Sequence, residues 1–491
     1  MRVRVLVIGA GISGLAMGIR LRRAGIDDFV ILDAEDGLGG TWRVNTYPGA
    51  AVDIASTIFQ FGFRTHPWRR THANQDEVLD YLEQVAKEHG LEPHFVFGGR
   101  VTEARWDDEG HGWTVTTADG QTYRADAVVS AVGLLSNPND PTWPGIETFR
   151  GPVMHTQRWR PEVDLTGQRV AVVGVGSSSA QVVPTIAPVA RSVHVFMREP
   201  GWVLPKGDRA YDDAEFRQWS RPWYRRLVRG REIMKKEWRN LTGRPSYHAG
   251  SKRNRAMEQL ARGYIDTTFA DRPHLRAAVT PTYPFEGKRV VLSSDYYPAL
   301  LRDNVHLVPR PVASVTPSGI VDAAGSHHEV DVIVTATGFT ASEYLASYDV
   351  IGRGGRRLRE TWRDGAYAHA GMTVPGYPSF YLLFGPNTNG SGAVSVFWKA
   401  EMQAAWVVAD LKRMACRGLS GVDTRAWACA AYNAWMQRRL RRTVWATSNN
   451  YFKHPSGRIV TQFDGSITLQ WLILKLGRPL GTYGLRREDS R

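Results

Sequence analysis

The N-terminal segment constrains the fold of this chain more than any other stretch, because it reads as a strand, a glycine-rich turn and a helix. Val3–Ile8 is rich in β-branched residues, and Gly9, Gly11 and Gly14 follow it in the spacing G-x-G-x-x-G. Gly9 permits a tight turn, Gly11 lets the backbone approach a pyrophosphate, and Gly14 lets the helix pack closely on the strand. The unpaired N–H groups of the helix N-terminus favour phosphates. The segment therefore predicts a parallel α/β sheet that binds a dinucleotide.

An acidic residue follows the second predicted strand of this unit. Phe29–Leu32 is apolar and ends at Asp33, about 20 residues beyond the glycine turn, where such folds carry a ribose-binding acid. A carboxylate there accepts hydrogen bonds from both ribose hydroxyls and repels a 2′-phosphate. We therefore expect the first dinucleotide to carry an unphosphorylated ribose.

A second strand, turn and helix begin in the middle of the chain. The predicted strand Arg169–Val173 leads to Gly174 and Gly176, Ser177 opens the helix, and Ser179 stands in the third glycine position. Serine is small enough for close packing of helix on strand. The chain thus contains two predicted dinucleotide-binding units.

The second unit differs from the first at the end of its second strand. Ser192–Met197 ends in Arg198, where the first unit has an acid. A guanidinium can hold a 2′-phosphate through two hydrogen bonds, so the second cofactor is expected to be NADPH. Glu199 follows directly, and its charge opposes that preference.

Length and cysteine content narrow the class of protein. A chain of 491 residues is too long for one core, and no apolar run approaches the roughly 18 residues of a membrane span. The only cysteines, Cys416 and Cys429, form neither a disulfide framework nor a C-x-x-C pair. This excludes the disulfide reductases, which also contain two dinucleotide units, and fits a reducing cytoplasm.

The net charge of +14 raises the question of anionic partners. Much of it lies between residues 209 and 276, where arginine and tryptophan interleave, and this stretch predicts a solvated helical insertion. No nucleic-acid module accompanies it, so no nucleic-acid binding is expected. Weak peripheral contact with a membrane surface stays open.

The linker between the two units carries a specific pattern. Phe149, Gly151, His155 and Trp159 fit F-x-G-x-x-x-H-x-x-x-W, which on its own is also compatible with a hinge whose aromatic residues are packed. The pattern resembles the fingerprint of the Baeyer–Villiger monooxygenases, flavoenzymes that insert one oxygen atom beside a ketone carbonyl. In the related flavin-containing monooxygenases the last position is usually not tryptophan. The resemblance implies that His155 and Trp159 couple the domains.

Three further segments resemble stretches of the same family. Gly39–Asp53 matches a signature that runs along the flavin, which implies FAD contacts from Gly40, Thr41, Trp42 and Asp53. The segment TPTYPFEGKRVV implies that Arg289 is the active-site arginine and that Lys288 contacts the NADP phosphate. The loop Gly385–Gly392 is expected over the flavin, with Asn387 binding the cofactor. In a later segment, the family's cofactor-contacting tryptophan is replaced by Asn450.

The resemblance covers nearly the whole chain and implies an α/β fold with two Rossmann-like domains. Residues 1–148 and 339–491 are expected to form a discontinuous FAD domain. Residues 149–338 are expected to form the linker and the NADPH domain, with a helical insertion at about 209–275.

The implied reaction uses NADPH to reduce FAD, after which dioxygen gives a C4a-peroxyflavin that attacks a ketone and yields an ester or lactone. Arg289 would stabilise the developing negative charge, and Asp53 would hold Arg289 in place. No metal site is expected. Two alternatives stay open: oxygenation of sulfur or nitrogen by the same flavin, and a redox protein that only turns over NADPH. The ketone and the oligomeric state are not predicted.

Overall fold

Two sheets, one mostly and one entirely parallel, organise the molecule, with helices packed on them. The computed structural model describes residues 1–242, 246–390 and 395–486, without the side chains of residues 241 and 242. The strands, in chain order, are β1 Arg2–Ile8, β2 Phe29–Leu32, β3 Phe95–Val96, β4 Val101–Asp107, β5 Gly112–Thr117, β6 Thr122–Ser130, β7 Val153–His155, β8 Arg169–Val173, β9 Ser192–Phe196, β10 Val203–Leu204, β11 Val291–Leu292, β12 Val305–Val308, β13 Val312–Thr316, β14 Gly319–Asp322, β15 His327–Glu329, β16 Val332–Thr335, β17 Asp349–Ile351, β18 Phe380–Leu382, β19 Gly421–Thr424 and β20 Thr482–Leu485.

The helices surround these sheets. In chain order they are α1 Ile12–Arg23, α2 Thr41–Val44, α3 Gln75–Glu88, α4 Ser177–Ile186, α5 Asp213–Trp219, α6 Pro222–Thr242, α7 Lys252–Thr268, α8 Pro273–Val279, α9 Tyr296–Leu300, α10 Leu358–Thr361, α11 Val396–Arg417, α12 Ala426–Leu440, α13 Val444–Thr447 and α14 Ile467–Gly481. In the described part of the chain, every helix is too short or too polar to cross a lipid bilayer.

The first sheet has the order β17-β4-β5-β6-β1-β2-β3, with β18 also paired to β6. Strands β6, β1, β2 and β3 run parallel, whereas β4 and β5 form an antiparallel hairpin. Val7 of β1 lies opposite Ile31 of β2 and Val129 of β6. Because β17 and β18 come from residues beyond 348, distant parts of the chain build one sheet.

The second sheet has the order β12-β9-β8-β16-β7, and all of its pairs are parallel. Its first strand after the linker, β8, lies in the centre and leads directly into α4. A smaller antiparallel sheet of β13, β14 and β15 covers one face of it. The predicted α/β class with two Rossmann-like sheets is confirmed.

Both faces of the first sheet are buried, as its strand sequences require. Val5 and Val7 of β1 point into a core shared with α1, α3 and α11. Leu6 and Ile8 point to the other face, where Trp106 and the hairpin pack. This burial fixes the carboxyl ends of β1, β2 and β6 in one edge.

Between β10 and β11, the residues that the structure describes form four helices, α5 to α8. Asp212 caps α5 and forms a reciprocal capping box with Glu215, and Ser251 caps α7. One side of α7 packs into the core of the second sheet through Ala261 and Ile265.

Candidate functional site

A cavity of 700 Å³ opens at the carboxyl edge of the first sheet and extends to the segment around β11. This edge is where open parallel sheets bind their ligands. The predicted site residues that line the cavity are Gly9, Gly11, Asp33, Gly40, Thr41, Trp42, Asp53, Lys288 and Arg289.

The first glycine turn is shaped by its lack of side chains. Gly9 has φ +108°, and a Cβ there would stand 2.7 Å from the carbonyl oxygen of Ala131. A Cβ at Gly14 would collide with the carbonyl of Gly9. Gly11 is the N-cap of α1 and lines the cavity with the first residues of the helix, and no side chain caps this N-terminus. The turn therefore has the donors of an anion-binding site.

The Gly39–Asp53 segment packs directly on this turn. The N–H of Gly39 donates to the carbonyl of Ala10 at 3.0 Å. A Cβ on Gly40 would stand 3.0 Å from the Cα of Gly11, so backbone meets backbone here. Thr41 and Trp42 then begin α2, and the indole of Trp42 contacts the edge of Phe59 at a centroid distance of 5.4 Å. The result is a groove lined mainly by backbone, as a bound dinucleotide requires.

Asp33 ends β2 beside the same groove. One carboxylate oxygen accepts the N–H of Ala10 at 2.6 Å and the other accepts the N–H of Glu35 at 2.9 Å. Burial raises the pKa of Asp33 above its usual value, while these backbone donors work against the rise. Each oxygen retains accepting capacity for a ribose hydroxyl.

Arg289 and Asp53 form an ion pair that joins the two parts of the cavity wall. Burial acts to raise the pKa of Asp53, but the charge and hydrogen bond of Arg289 outweigh it, so the pKa lies below its usual value. The charge of Asp53 in turn raises the pKa of Arg289. Tyr451 lies next to the guanidinium and also lines the cavity. The pair therefore stays fully charged around neutral pH.

The second glycine turn lies apart from this cavity lining. Gly174 has φ +121°, Gly176 is the N-cap of α4, and Ser177 is its first helical residue. Arg198 is exposed just beyond β9.

Lys288 connects the two regions. It lines the cavity, forms an ion pair with Glu199 and places its ammonium 5.2 Å from the ring centroid of Tyr283. Glu199 is therefore engaged with Lys288 in the structure.

Asn387, which is expected to bind the cofactor, is not among the residues that line the cavity. It is buried with φ +54°, and its amide nitrogen donates to the carbonyls of Ile459 at 2.9 Å and Gln462 at 2.8 Å. Its role in the structure is to brace a segment whose Gln462 lines the cavity, and Asn389 lines the cavity instead. Residues 391 and 392 of the expected loop lie outside the described residues.

Asn450 also forms backbone contacts and is absent from the cavity lining. Its amide nitrogen lies 3.0 Å from each of three carbonyl oxygens, those of Gly287, Trp445 and Ser448. Its amide oxygen accepts the N–H of Phe452 at 3.1 Å. Asn450 thus fastens the C-terminal segment to the loop that carries Lys288 and Arg289.

Sequence reasoning missed several ionisable residues of the cavity, among them Lys399 and Glu286. Lys399, in the first turn of α11, is 3% exposed, and its nearest described partner is the Phe384 ring at 5.4 Å. Burial lowers the pKa of Lys399 to about 7. Glu286 has φ +63°, and burial raises its pKa to about 7. The sequence signal for Lys399 was a lysine in the otherwise apolar start of α11. No sequence signal pointed to Glu286.

The two sheets also meet through α4. The phenol of Tyr47 donates to the side-chain oxygen of Gln181 at 2.9 Å, and the Gln181 amide donates to the Ala51 carbonyl at 3.0 Å. His155 is buried in the linker against Phe339, at a centroid distance of 5.6 Å. Trp159 packs on the core of the second sheet. Neither linker residue lines the cavity.

Known proteins resemble this chain over almost its full length. The family model described as pyridine nucleotide-disulphide oxidoreductase matches residues 6–236, a stretch that contains no cysteine. A Baeyer–Villiger monooxygenase of Pseudomonas aeruginosa is 39% identical over 94% of this chain and 88% of its own.

Solved structures show the same fold. An oxidised steroid monooxygenase bound to NADP superposes with a TM-score of 0.86 at 29% identity, covering 99% of this chain and 100% of its own. A complex of OTEMO with FAD and NADP superposes with a TM-score of 0.89 at 25% identity, covering 98% of this chain and 99% of its own.

Proposed function

Since this chain belongs to the Baeyer–Villiger monooxygenase family, we propose that it uses FAD, NADPH and dioxygen to insert an oxygen atom beside a ketone carbonyl. The observation that carries the proposal is the Arg289–Asp53 ion pair, which stands in the wall of the cavity that begins at the first glycine turn. When bound, FAD reduced by NADPH supplies activated oxygen.

The first glycine turn and the Gly39–Asp53 segment fit FAD. The uncapped N-terminus of α1 offers N–H donors to a pyrophosphate, and the close backbone approach of Gly11 to Gly40 leaves no room for side chains there. Asp33 receives the ribose hydroxyls, and Thr41 and Trp42 form one wall. Asn387 acts indirectly, through the cavity segment that it braces.

Lys399 completes this site as a partner for an anionic part of FAD. A buried lysine with no hydrogen bond or ion pair among the described residues keeps its charge at neutral pH fully only when a negative group compensates its lost hydration. The cavity that Lys399 lines is the one formed by the first glycine turn. Its charge therefore faces the cofactor.

The second glycine turn fits NADPH. Gly174, Gly176 and Ser177 form the start of α4, Arg198 would hold the 2′-phosphate, and Lys288 would add a second cation. Glu199 forms an ion pair with Lys288 and therefore competes with the phosphate for this lysine. Arg198→Ala should raise the KM for NADPH by roughly tenfold or more and leave that for NADH nearly unchanged. Equal effects on both cofactors would contradict the assignment.

Arg289 provides the charge stabilisation of the reaction. Its guanidinium keeps its proton at every working pH, so it can stabilise negative charge that develops on oxygen and on the adduct with the ketone. At about 4 Å and an effective dielectric constant of roughly 20, such a charge contributes about 4 kcal/mol before desolvation. Asp53 holds the guanidinium in place.

The far part of the cavity fits an apolar ketone. Its wall includes Leu204, Met257, Phe285, Trp445 and Phe452. These side chains exclude water from the reacting carbonyl. The shape of the ketone is then the main basis on which the cavity selects a substrate.

We assign residues 1–148 and 339–491 to the FAD domain and residues 149–338 to the linker and NADPH domain. Strands β17 and β18 extend the first sheet, whereas β7, β8, β9, β12 and β16 form the second, which supports this division. We place the protein in the cytoplasm, where NADPH is available and where Cys416 and Cys429 stay reduced.

The test uses purified protein with FAD and NADPH and a panel of ketones and sulfides. We expect yellow protein with about one FAD per chain, and ester or lactone formed in proportion to NADPH consumed. Sulfoxide without ester would favour heteroatom oxygenation, and NADPH oxidation without any oxygenated product would favour a redox protein. Protein that takes up no FAD would overturn the proposal.

A further inference from the structure

Helix α6 turns large apolar side chains toward solvent. Trp223, Leu227, Met234 and Trp238 are 60%, 61%, 67% and 69% exposed. At 3.6 residues per turn, these four positions fall within about 60° of the helix circumference. They lie along one side of the helix, and we call this set of four residues the α6 stripe.

The opposite side of α6 is polar and is fixed by the protein. Arg225 is buried and donates to the carbonyl of Trp219 at 2.6 Å, and Arg229 donates to the carbonyl of Gln60 at 3.4 Å. Lys236 lines the cavity. Because these contacts set the orientation of α6, the helix cannot rotate to bury the α6 stripe.

Helix α14 begins against α6 and has an apolar outer face of its own. The carboxylate of Glu237 accepts the N–H groups of Ile467 and Thr468, each at 3.0 Å. The exposed fractions of the apolar residues of α14 are 40% for Trp471, 39% for Leu472, 57% for Leu476 and 64% for Leu480. An apolar surface on two adjoining helices exceeds the isolated exposed residues that soluble proteins normally carry.

Cations border this surface. Arg226, Arg231, Lys235 and Arg239 are exposed on α6, and Lys475 is exposed on α14. The whole chain carries a net charge of +14. Tryptophan and leucine on one helical face, with arginine and lysine at its edges, is the pattern of a helix that lies in the interface of an anionic membrane.

We propose that the outer faces of α6 and α14 dock on the surface of an anionic phospholipid bilayer. A second copy of this chain fits less well, because the cationic borders of two α6 stripes would repel each other. Since Lys236 lines the cavity from the inner side of α6, docking places the cavity one helix away from the lipid. If the proposed ketone oxygenation holds, apolar ketones dissolved in the bilayer then have a short path to it.

The test is co-sedimentation of the FAD-loaded protein with vesicles of phosphatidylcholine alone and of phosphatidylcholine mixed with phosphatidylglycerol. We expect binding to the anionic vesicles, weakened by added salt. The double variant Trp223→Gln/Leu227→Gln should lose about tenfold in partitioning. Trp427→Gln on α12 is the matched control, because Trp427 is 65% exposed and lies outside both faces. FAD content and melting temperature report whether each variant folds.

Binding is measured without substrate, so it succeeds or fails independently of oxygenation. Equal partitioning of the parent and the double variant, or no vesicle binding by the parent, would overturn the proposal. Sedimentation velocity identifies the competing occupant: a parent dimer that the double variant converts to monomer, without vesicle binding, would assign these faces to self-association.

Discussion

Arg289 lies between Asp53 and Tyr451, and this position determines which step depends on it. The transfer of hydride needs the two cofactors stacked and gains little from a neighbouring cation. The attack on the ketone develops negative charge on oxygen, which a fixed guanidinium stabilises. Removing the charge should therefore act late in the catalytic cycle.

We expect Arg289→Ala to bind FAD and oxidise NADPH but to form roughly 10²–10³-fold less ester, releasing peroxide instead. Arg289→Lys should do little better, because a compact ammonium cannot reproduce the planar fork. Asp53→Ala should show a milder loss, since it removes only the orienting partner. The measurements are product formed per NADPH and stopped-flow flavin reduction. If Arg289→Ala couples NADPH to ester as the parent does, Arg289 does not stabilise the developing charge.

Lys399 should make stability depend on pH. Burial lowers its pKa from 10.5 to about 7, so between these values the unfolded chain binds more protons than the folded one. Its contribution to the free energy of unfolding therefore rises with pH from about 7 toward 10.5. Lys399→Met keeps the apolar stem and should remove this rise from FAD-free protein, measured as melting temperature against pH.

The same measurement on FAD-loaded protein tests the assignment of Lys399 to a cofactor anion. An anion beside the ammonium favours its charged form. The difference in pH dependence of the melting temperature between the parent and Lys399→Met should therefore shrink when FAD is bound. If the anion is the pyrophosphate, Lys399→Met should also weaken FAD binding. If the anion is the reduced flavin ring, Lys399→Met should lower the flavin reduction potential. An unchanged pH dependence, FAD affinity and potential would exclude contact with the cofactor.

At the scale of elements, the sequence predicted the features that depend on residues close together in the chain. The glycine turns at Gly9 and Gly174 follow from backbone geometry that only glycine adopts easily. Asn387, Asn450 and Lys399 were different, because their roles depend on carbonyls and apolar surface supplied by distant segments. The resemblance supplied Arg289, whereas the spacing of residues alone could not pair it with Asp53.

The junction of the C-terminal segment and the Gly287 loop depends on Asn450. We expect Asn450→Ala to destabilise the protein by about 1–3 kcal/mol, because it leaves several backbone groups without their partner. The loop carrying Lys288 and Arg289 should loosen, which raises the KM for NADPH and lowers product per NADPH. Asn449→Ala is the matched control, since Asn449 is an exposed neighbour. Equal behaviour of the two variants would show that Asn450 does not position the loop.

At the scale of the whole molecule, one interface between the sides of the two sheets bears on the proposed reaction. Tyr47 and Ala51, on the first sheet's side, are linked to Gln181 of α4, which follows the second glycine turn. A Cβ at Gly49 would stand 2.7 Å from the carbonyl oxygen of Gln181, so the two backbones nearly touch there. The Arg289–Asp53 pair crosses the same interface. Loosening the contacts of Gln181 should therefore disturb the Arg289–Asp53 pair.

Gln181→Ala removes the two hydrogen bonds that the Gln181 side chain makes to Tyr47 and Ala51, without adding volume. We expect a loss of about 1–3 kcal/mol, a calorimetric transition that broadens or splits in two, and a fall in product per NADPH. The fall should exceed any loss in the rate of flavin reduction, because Asp53 shifts relative to Arg289 while each glycine turn stays intact. Gln218→Ala, at an exposed position of α5, is the matched control. If Gln181→Ala destabilises the protein but keeps its coupling, the interface contributes only stability, and Asp53 must be positioned by its own segment.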